Sequence, residues 1–210
     1  MSSPVSASTQ SQPFARRLRT LGAKLGLALG VPLLFCGLLE LGLRVSGFGR
    51  DLDFFIRDEQ PGMVRTNPHF TELFLPASFG LKPVNFRLAE RKPADTVRIF
   101  VLGESAAMGV PEPGFGLAPQ LRARLRGAFP GRKIEVWNLG VTAINSHAIV
   151  EIARAAVKLQ PDLFVVYMGN NEVVGPYGAS SIVTGRPMPR RLIRASVWLR
   201  GTRTGQLLQR

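Results

Sequence analysis

Hydrophobic positions along the chain fall into three patterns. Leu25 to Val45 is one nearly unbroken apolar run. At about 1.5 Å per residue a helix of that length reaches roughly 30 Å, the thickness of a bilayer core. Pro32 can kink such a helix. Glu40 and Arg44, four residues apart near its far end, can pair and reach the interface. Residues 46–96 have little periodicity: Phe54, Phe55, Phe70, Phe74, Phe79 and Phe86 are scattered among Pro, Arg and Asn. Irregular structure is expected there, or short strands packed on a domain or on a membrane surface.

From residue 97 the pattern is regular. Val97 to Leu102 reads as a short apolar strand, Gly103 to Gly109 as a glycine-bounded turn, and Leu117 to Ala128 as a helix. Ile134 to Asn138 is a second strand. Ala148 to Leu159 is an apolar-faced helix with Ser146 or Asn145 as N-cap, and Leu163 to Met168 is a third strand after a Pro161-Asp162 turn. Strands alternating with helices predict parallel β-α-β units, a sheet covered on both faces and an α/β fold class. The chain divides into a disordered basic leader (1–24), a transmembrane helix (25–45), an irregular connecting segment (46–96), an α/β domain (97–189) and a basic helical tail (190–210).

Charge adds a topology. The 27 Lys and Arg against 14 Asp and Glu give a net charge of +13, a balance that suits nucleic acid or an anionic membrane surface. Arg16, Arg17, Arg19 and Lys24 precede the apolar run and favour a cytoplasmic N-terminus, with everything after residue 46 outside. No small-x-small site directly follows the run, which favours an uncleaved anchor over a signal peptide. Arg122 to Lys133 interleaves with Leu121 and Leu125 as an exposed helix face would. Arg186 to Arg210 is the one group resembling an anion-binding stripe, and a solvated face is its simpler account. With a membrane anchor and an external domain, nucleic acid is not expected as a partner. Cys36, the single cysteine, lies inside the apolar run, so no disulfide within the chain and no thiolate metal site can form.

The three strand ends carry the candidate chemistry, because open α/β sheets build sites at the carboxyl ends of their strands. They read Gly103-Glu104-Ser105, Asn138-Leu139-Gly140 and Gly169-Asn170-Asn171-Glu172. A serine on a tight turn offers an exposed nucleophile. The backbone N–H groups of Ser105 and Gly140, with the Asn171 side-chain amide, would supply an oxyanion hole for acyl transfer. A lone Gly-x-Ser reads more simply as a turn serine; Gly140 and Asn171 alongside it reverse that order. The turn lacks the Lys-Ser/Thr of a phosphate-binding loop. His69, beside Pro68, reads as an exposed or hydrogen-bonded structural residue. His147 stands at a helix N-terminus, which lowers imidazole basicity, so a cap or side-chain hydrogen bond suits it better than a role as base.

These three blocks, in this order and on successive strands, resemble the first three motif blocks of the SGNH (GDSL-like) hydrolases over roughly residues 97–180. Val-Leu-Gly-Glu-Ser-Ala-Ala (101–107) and Tyr-Met-Gly-Asn-Asn-Glu (167–172) are similar to membrane-anchored bacterial members that often carry tetratricopeptide repeats. The resemblance implies a three-layer flavodoxin-like parallel sheet, here incomplete and preceded by one transmembrane helix. It also implies no metal or cofactor, and hydrolysis of esters, often acyl groups on lipids or carbohydrates. Ser105 would be the nucleophile, with Gly140 and Asn171 holding the oxyanion, in a domain on the periplasmic side of a bacterial inner membrane. The family usually has Asp where this chain has Glu104 and Glu172, and its base is a histidine in an Asp-x-x-His motif that neither His69 nor His147 forms. The chain is therefore expected to be a fragment or an inactive relative. A non-catalytic envelope binding or assembly protein on a degenerate SGNH fold is the alternative.

Overall fold

A computed structural model describes residues 14–181, 183 and 188–209. The leader over residues 1–13, and Arg186 and Arg210 of the basic tail, lie outside the described residues. The chain forms two compact units, Met1–Phe48 and Gly49–Arg210.

The described part of the first unit is essentially one helix, α1 (Phe14–Val45). It begins well ahead of Leu25, so residues 14–24 are helical rather than disordered. Ala15, Arg16, Arg17, Leu18 and Arg19 are strong helix formers with no proline among them. The helix continues through Pro32 as one element. Glu40 and Arg44 pair at 2.8 Å. Gly47 ends the helix in the left-handed region, at φ 70°. The Gly47 N–H donates to the Arg44 carbonyl and the Phe48 N–H to the Leu43 carbonyl, the two reversed bonds of a glycine-capped helix end. Gly22–Val45, at a mean hydropathy of 1.9, is long and apolar enough to cross a membrane. A membrane anchor and a signal sequence both fit that length and composition.

The second unit opens with structure that the sequence pattern left open. β1 (Phe55–Arg57), β2 (Met63–Thr66) and β3 (Arg87–Ala89) form an antiparallel sheet in the order β1-β2-β3. Phe54, Phe70 and Phe74 are buried edge-to-face, with centroids 4.9 Å and 5.6 Å apart, and Phe86 stacks on Trp137 at 5.0 Å. Five of the six phenylalanines show no period because turns, rather than one helix or strand, bring them together; Phe79 stays exposed outside the cluster.

The α/β part follows the pattern closely. β4 (Thr96–Gly103) lies between β5 (Lys133–Asn138) and β6 (Leu163–Tyr167), and both pairings are parallel. The helices are α2 (Ser105–Met108), α3 (Leu117–Ala128), α4 (Ser146–Val157), α5 (Arg190–Gly201) and α6 (Arg203–Leu208). Successive side chains of β4 serve two cores. Ile99 and Val101 join Ala118, Leu121 and Leu125 of α3; Phe100 and Leu102 join Ile149 and Ile152 of α4 and the phenylalanine cluster. A strand buried on both faces reads as a continuous apolar run, as Ile99 to Leu102 of β4 do. The result is an α/β unit with a small parallel three-stranded sheet packed against helices, preceded in the chain by a long apolar helix.

Candidate active site

The site begins where β4 runs out. A Cβ on Gly103 would overlap the Tyr167 carbonyl and come 2.5 Å from the Ala107 Cβ, so only glycine lets the turn close against β6. Glu104 follows in extended conformation as the N-cap of α2, its side chain fully buried. Its carboxylate accepts the N–H of Asn170 at 2.9 Å and of Asn171 at 3.2 Å. Ser105 opens α2 and is half-buried. Its carbonyl accepts the N–H groups of Gly109 and Val110, and Gly109, at φ 87°, reverses the chain. Among the described residues the Ser105 hydroxyl has no hydrogen-bond partner.

Gly140 packs against this turn. A Cβ there would lie 2.5 Å from the Met108 nitrogen and 2.7 Å from its Cα. The Asn138 side chain fixes the approach: Nδ2 donates to the Met108 carbonyl at 2.9 Å, and Oδ1 accepts the Gly140 N–H at 3.0 Å. The Val141 N–H also donates to the Gly103 carbonyl. The Gly140 N–H is therefore engaged within its own loop.

Asn171 joins the third segment. Its N–H goes to Glu104, and its Nδ2 donates to the Ile144 carbonyl at 3.1 Å. An amide nitrogen carries two hydrogens, so one remains for a ligand. Glu172 accepts from the Ser146 N–H at 2.8 Å and the Ser146 hydroxyl at 2.7 Å, placing a carboxylate at the start of α4, where the helix dipole favours it. Asn145, fully buried, is the N-cap of α4. Its Oδ1 accepts the His147 N–H at 3.3 Å and its Nδ2 donates to the Pro176 carbonyl at 2.8 Å.

The Ser105 turn thus contacts the Gly140 loop through Met108 and the Asn171 segment through Glu104. The histidines stand otherwise. The His147 ring packs edge-on to Tyr177, centroids 6.1 Å apart. His69 Nδ1 lies 2.7 Å from Glu72 Oε1 and 3.1 Å from an Arg50 nitrogen. Neither ring is hydrogen-bonded to Ser105. Among the described residues no group of three His, Cys, Asp or Glu side chains is placed to hold a metal ion.

Sequence reasoning placed Ser105, Gly140 and Asn171 at strand ends and quoted Glu104, Asn138 and Glu172 beside them, but missed the clamping bonds that these three make. Their signal was an acidic or amide residue beside each candidate; their partners, tens of residues away, were not visible. No protein-family model, curated protein or solved structure matches this chain.

Proposed function

We propose that the chain belongs to a serine ester hydrolase of the SGNH type, anchored by α1 at the outer face of a bacterial inner membrane, with Ser105 as nucleophile. The observation that carries this is the Ser105 hydroxyl. It is half-buried and uncommitted among the described residues, on a turn that buried Glu104 ties to Asn170 and Asn171. The strand order β5-β4-β6 is that of the first three strands of a flavodoxin-like sheet. Ser105 and Asn171 flank the point where that order reverses, where open α/β sheets bind ligands. The basic residues in the first turns of α1, ahead of its apolar run, favour a cytoplasmic N-terminus.

In the reaction the Ser105 oxygen attacks the acyl carbonyl and its proton passes to a base. The oxyanion takes the Ser105 N–H and the spare Asn171 Nδ2 hydrogen. The Gly140 N–H joins once Asn138 Oδ1 yields it. The alcohol leaves, and water hydrolyses the acyl-serine. The resemblance assigns the base to a histidine in an Asp-x-x-His motif, which residues 1–210 do not contain; this chain by itself is then expected to be inactive.

A second reading, a non-catalytic binding or assembly module, is favoured by two observations. The Gly140 N–H is already bonded, and neither histidine is bonded to Ser105. Fluorophosphonate labelling of the protein in the membranes of its own cell separates the two. An enzyme is labelled at Ser105 and loses the label as Ser105→Ala. If folded wild-type protein takes no label there, the non-catalytic module remains.

A further inference from the structure

After Glu172 the chain carries no Asp or Glu but seven arginines: Arg186, Arg190, Arg191, Arg194, Arg200, Arg203 and Arg210. In α5 one side is spoken for, since Ile193 and Val197 are buried in the core. At 100° per residue the opposite side brings together Leu192, Ala195, Trp198 and Leu199, with Arg191 and Arg194 beside them. Trp198 is 71% exposed, Leu192 54% and Leu199 44%; on α6, Leu208 is 76% exposed. Arg190, Arg191 and Arg194 are exposed and form no ion pair among the described residues. A solvated face accounts for the arginines but not for a tryptophan and two leucines standing among them. Such a mixture is what a helix lying in a lipid interface presents: aromatic and aliphatic side chains at the headgroup level, arginines for phosphate.

A second observation concerns where these helices sit in their unit. The Arg50 N–H donates to Gln206 Oε1 at 2.8 Å, and Gln206 Nε2 donates to the Arg50 carbonyl at 2.9 Å. α6 is thereby fixed to the residues at which the chain enters this unit. Arg50 comes only a few residues after Val45, the last residue of α1. α6 is therefore bonded to a residue that only residues 46–49 separate from α1 in the chain.

We infer that the exposed face of α5, continued by α6, docks on the bilayer and binds anionic lipid headgroups. Arg191 and Arg194 meet phosphate, Trp198 lies at headgroup depth, and Leu192 and Leu199 reach the acyl boundary. This rests on the reading of α1 as an anchor and is independent of the chemistry at Ser105.

Trp137 and Trp198 are the two tryptophans, and α1 has none, so Trp198 can be watched in the full chain. Trp137→Phe leaves it as the one indole and keeps a ring against Phe86. The full chain is reconstituted into nanodiscs of brominated lipid, zwitterionic or containing phosphatidylglycerol. Trp198 emission is expected to be quenched by bromine in the anionic discs and much less in the zwitterionic ones. Arginine at a membrane surface contributes about 1 kcal/mol, roughly fivefold each, so Arg191→Gln with Arg194→Gln should remove most of the quenching. Leu192→Ser serves as an independent probe should the double variant misfold, and it too should reduce quenching. Unquenched Trp198 that acrylamide reaches equally in both discs would overturn the inference. So would Trp198 shielded from acrylamide yet unquenched by bromine, which would assign this face to a protein partner. A chain that does not remain with the discs at all refutes the anchor instead.

Discussion

Glu104 is the residue on which the geometry around Ser105 turns. A fully buried carboxylate is costly unless its oxygens are satisfied, and here two successive backbone N–H groups satisfy them. The same bonds hold Asn171 beside the serine turn. Glu104→Ala strands those donors and is expected to cost about 1–3 kcal/mol for each. Glu104→Gln keeps an acceptor but loses its charge and should cost less. Thermal unfolding gives the size, and amide exchange gives the place: Asn170 and Asn171 should exchange faster in Glu104→Ala while β5 stays protected. Unchanged rates at both amides would mean that Glu104 is not their partner. Gly140 shows the opposite logic. The glycine is needed because Met108 leaves no room for a Cβ, yet its N–H is committed to Asn138, so its service to an oxyanion depends on a bond that must shift.

At the scale of elements, β4 is fastened at both ends by different chemistry. Its carboxyl end carries the site; its amino end is held by charge. Arg98, fully buried, donates from Nε to Glu135 at 2.9 Å and from Nη1 to the carbonyls of Ala89 and Leu159. Asp162 closes the turn before β6, accepting from Lys92 Nζ and from the Arg98 N–H. The Lys92 hydrogen bond first, and then the Arg98 N–H, hold the Asp162 carboxyl below its ordinary value of 3.8. A carboxyl lowered in the folded state adds stability that is complete above its unfolded value and is lost as pH falls through the folded one. Stability should therefore fall on the acid side below about pH 4, and Asp162→Asn should flatten that limb while lowering the neutral plateau. Since Asp162 is 41% exposed, solvent screening keeps the effect modest. Parallel acid limbs for wild type and Asp162→Asn would show that the pair contributes nothing.

At the scale of the whole molecule, one apolar helix and one α/β unit make two different demands on their surroundings. None of the most apolar window of α1 is buried, so water is a poor solvent for it. With α1 retained as an anchor, the protein should resist extraction by alkaline carbonate, and its intact mass should include the residues before Val45. A mature chain beginning after residue 45 would make α1 a signal sequence and remove the anchor from the proposed function.

The sequence by itself determined the three parallel strands, α3 and α4, and that Ser105, Gly140 and Asn171 would stand at strand ends; α2, inside the segment read as a turn, was not legible. Those outcomes depend on side-chain period and on glycine and asparagine placement within a few neighbouring residues. It also marked the apolar span of α1, though not its start at Phe14. Phe54, Phe55, Phe70, Phe74 and Phe86 of the connecting segment were legible as apolar but not as one cluster, because turns without a fixed period bring them together. Only the tertiary structure decided which donors near Ser105 are free. Glu104 meets Asn170 and Asn171 across 66 and 67 residues, and Gly140 is pressed on Met108 from another strand. The commitment of a hydrogen bond depends on whichever group the fold brings within about 3 Å, and no local pattern encodes that partner.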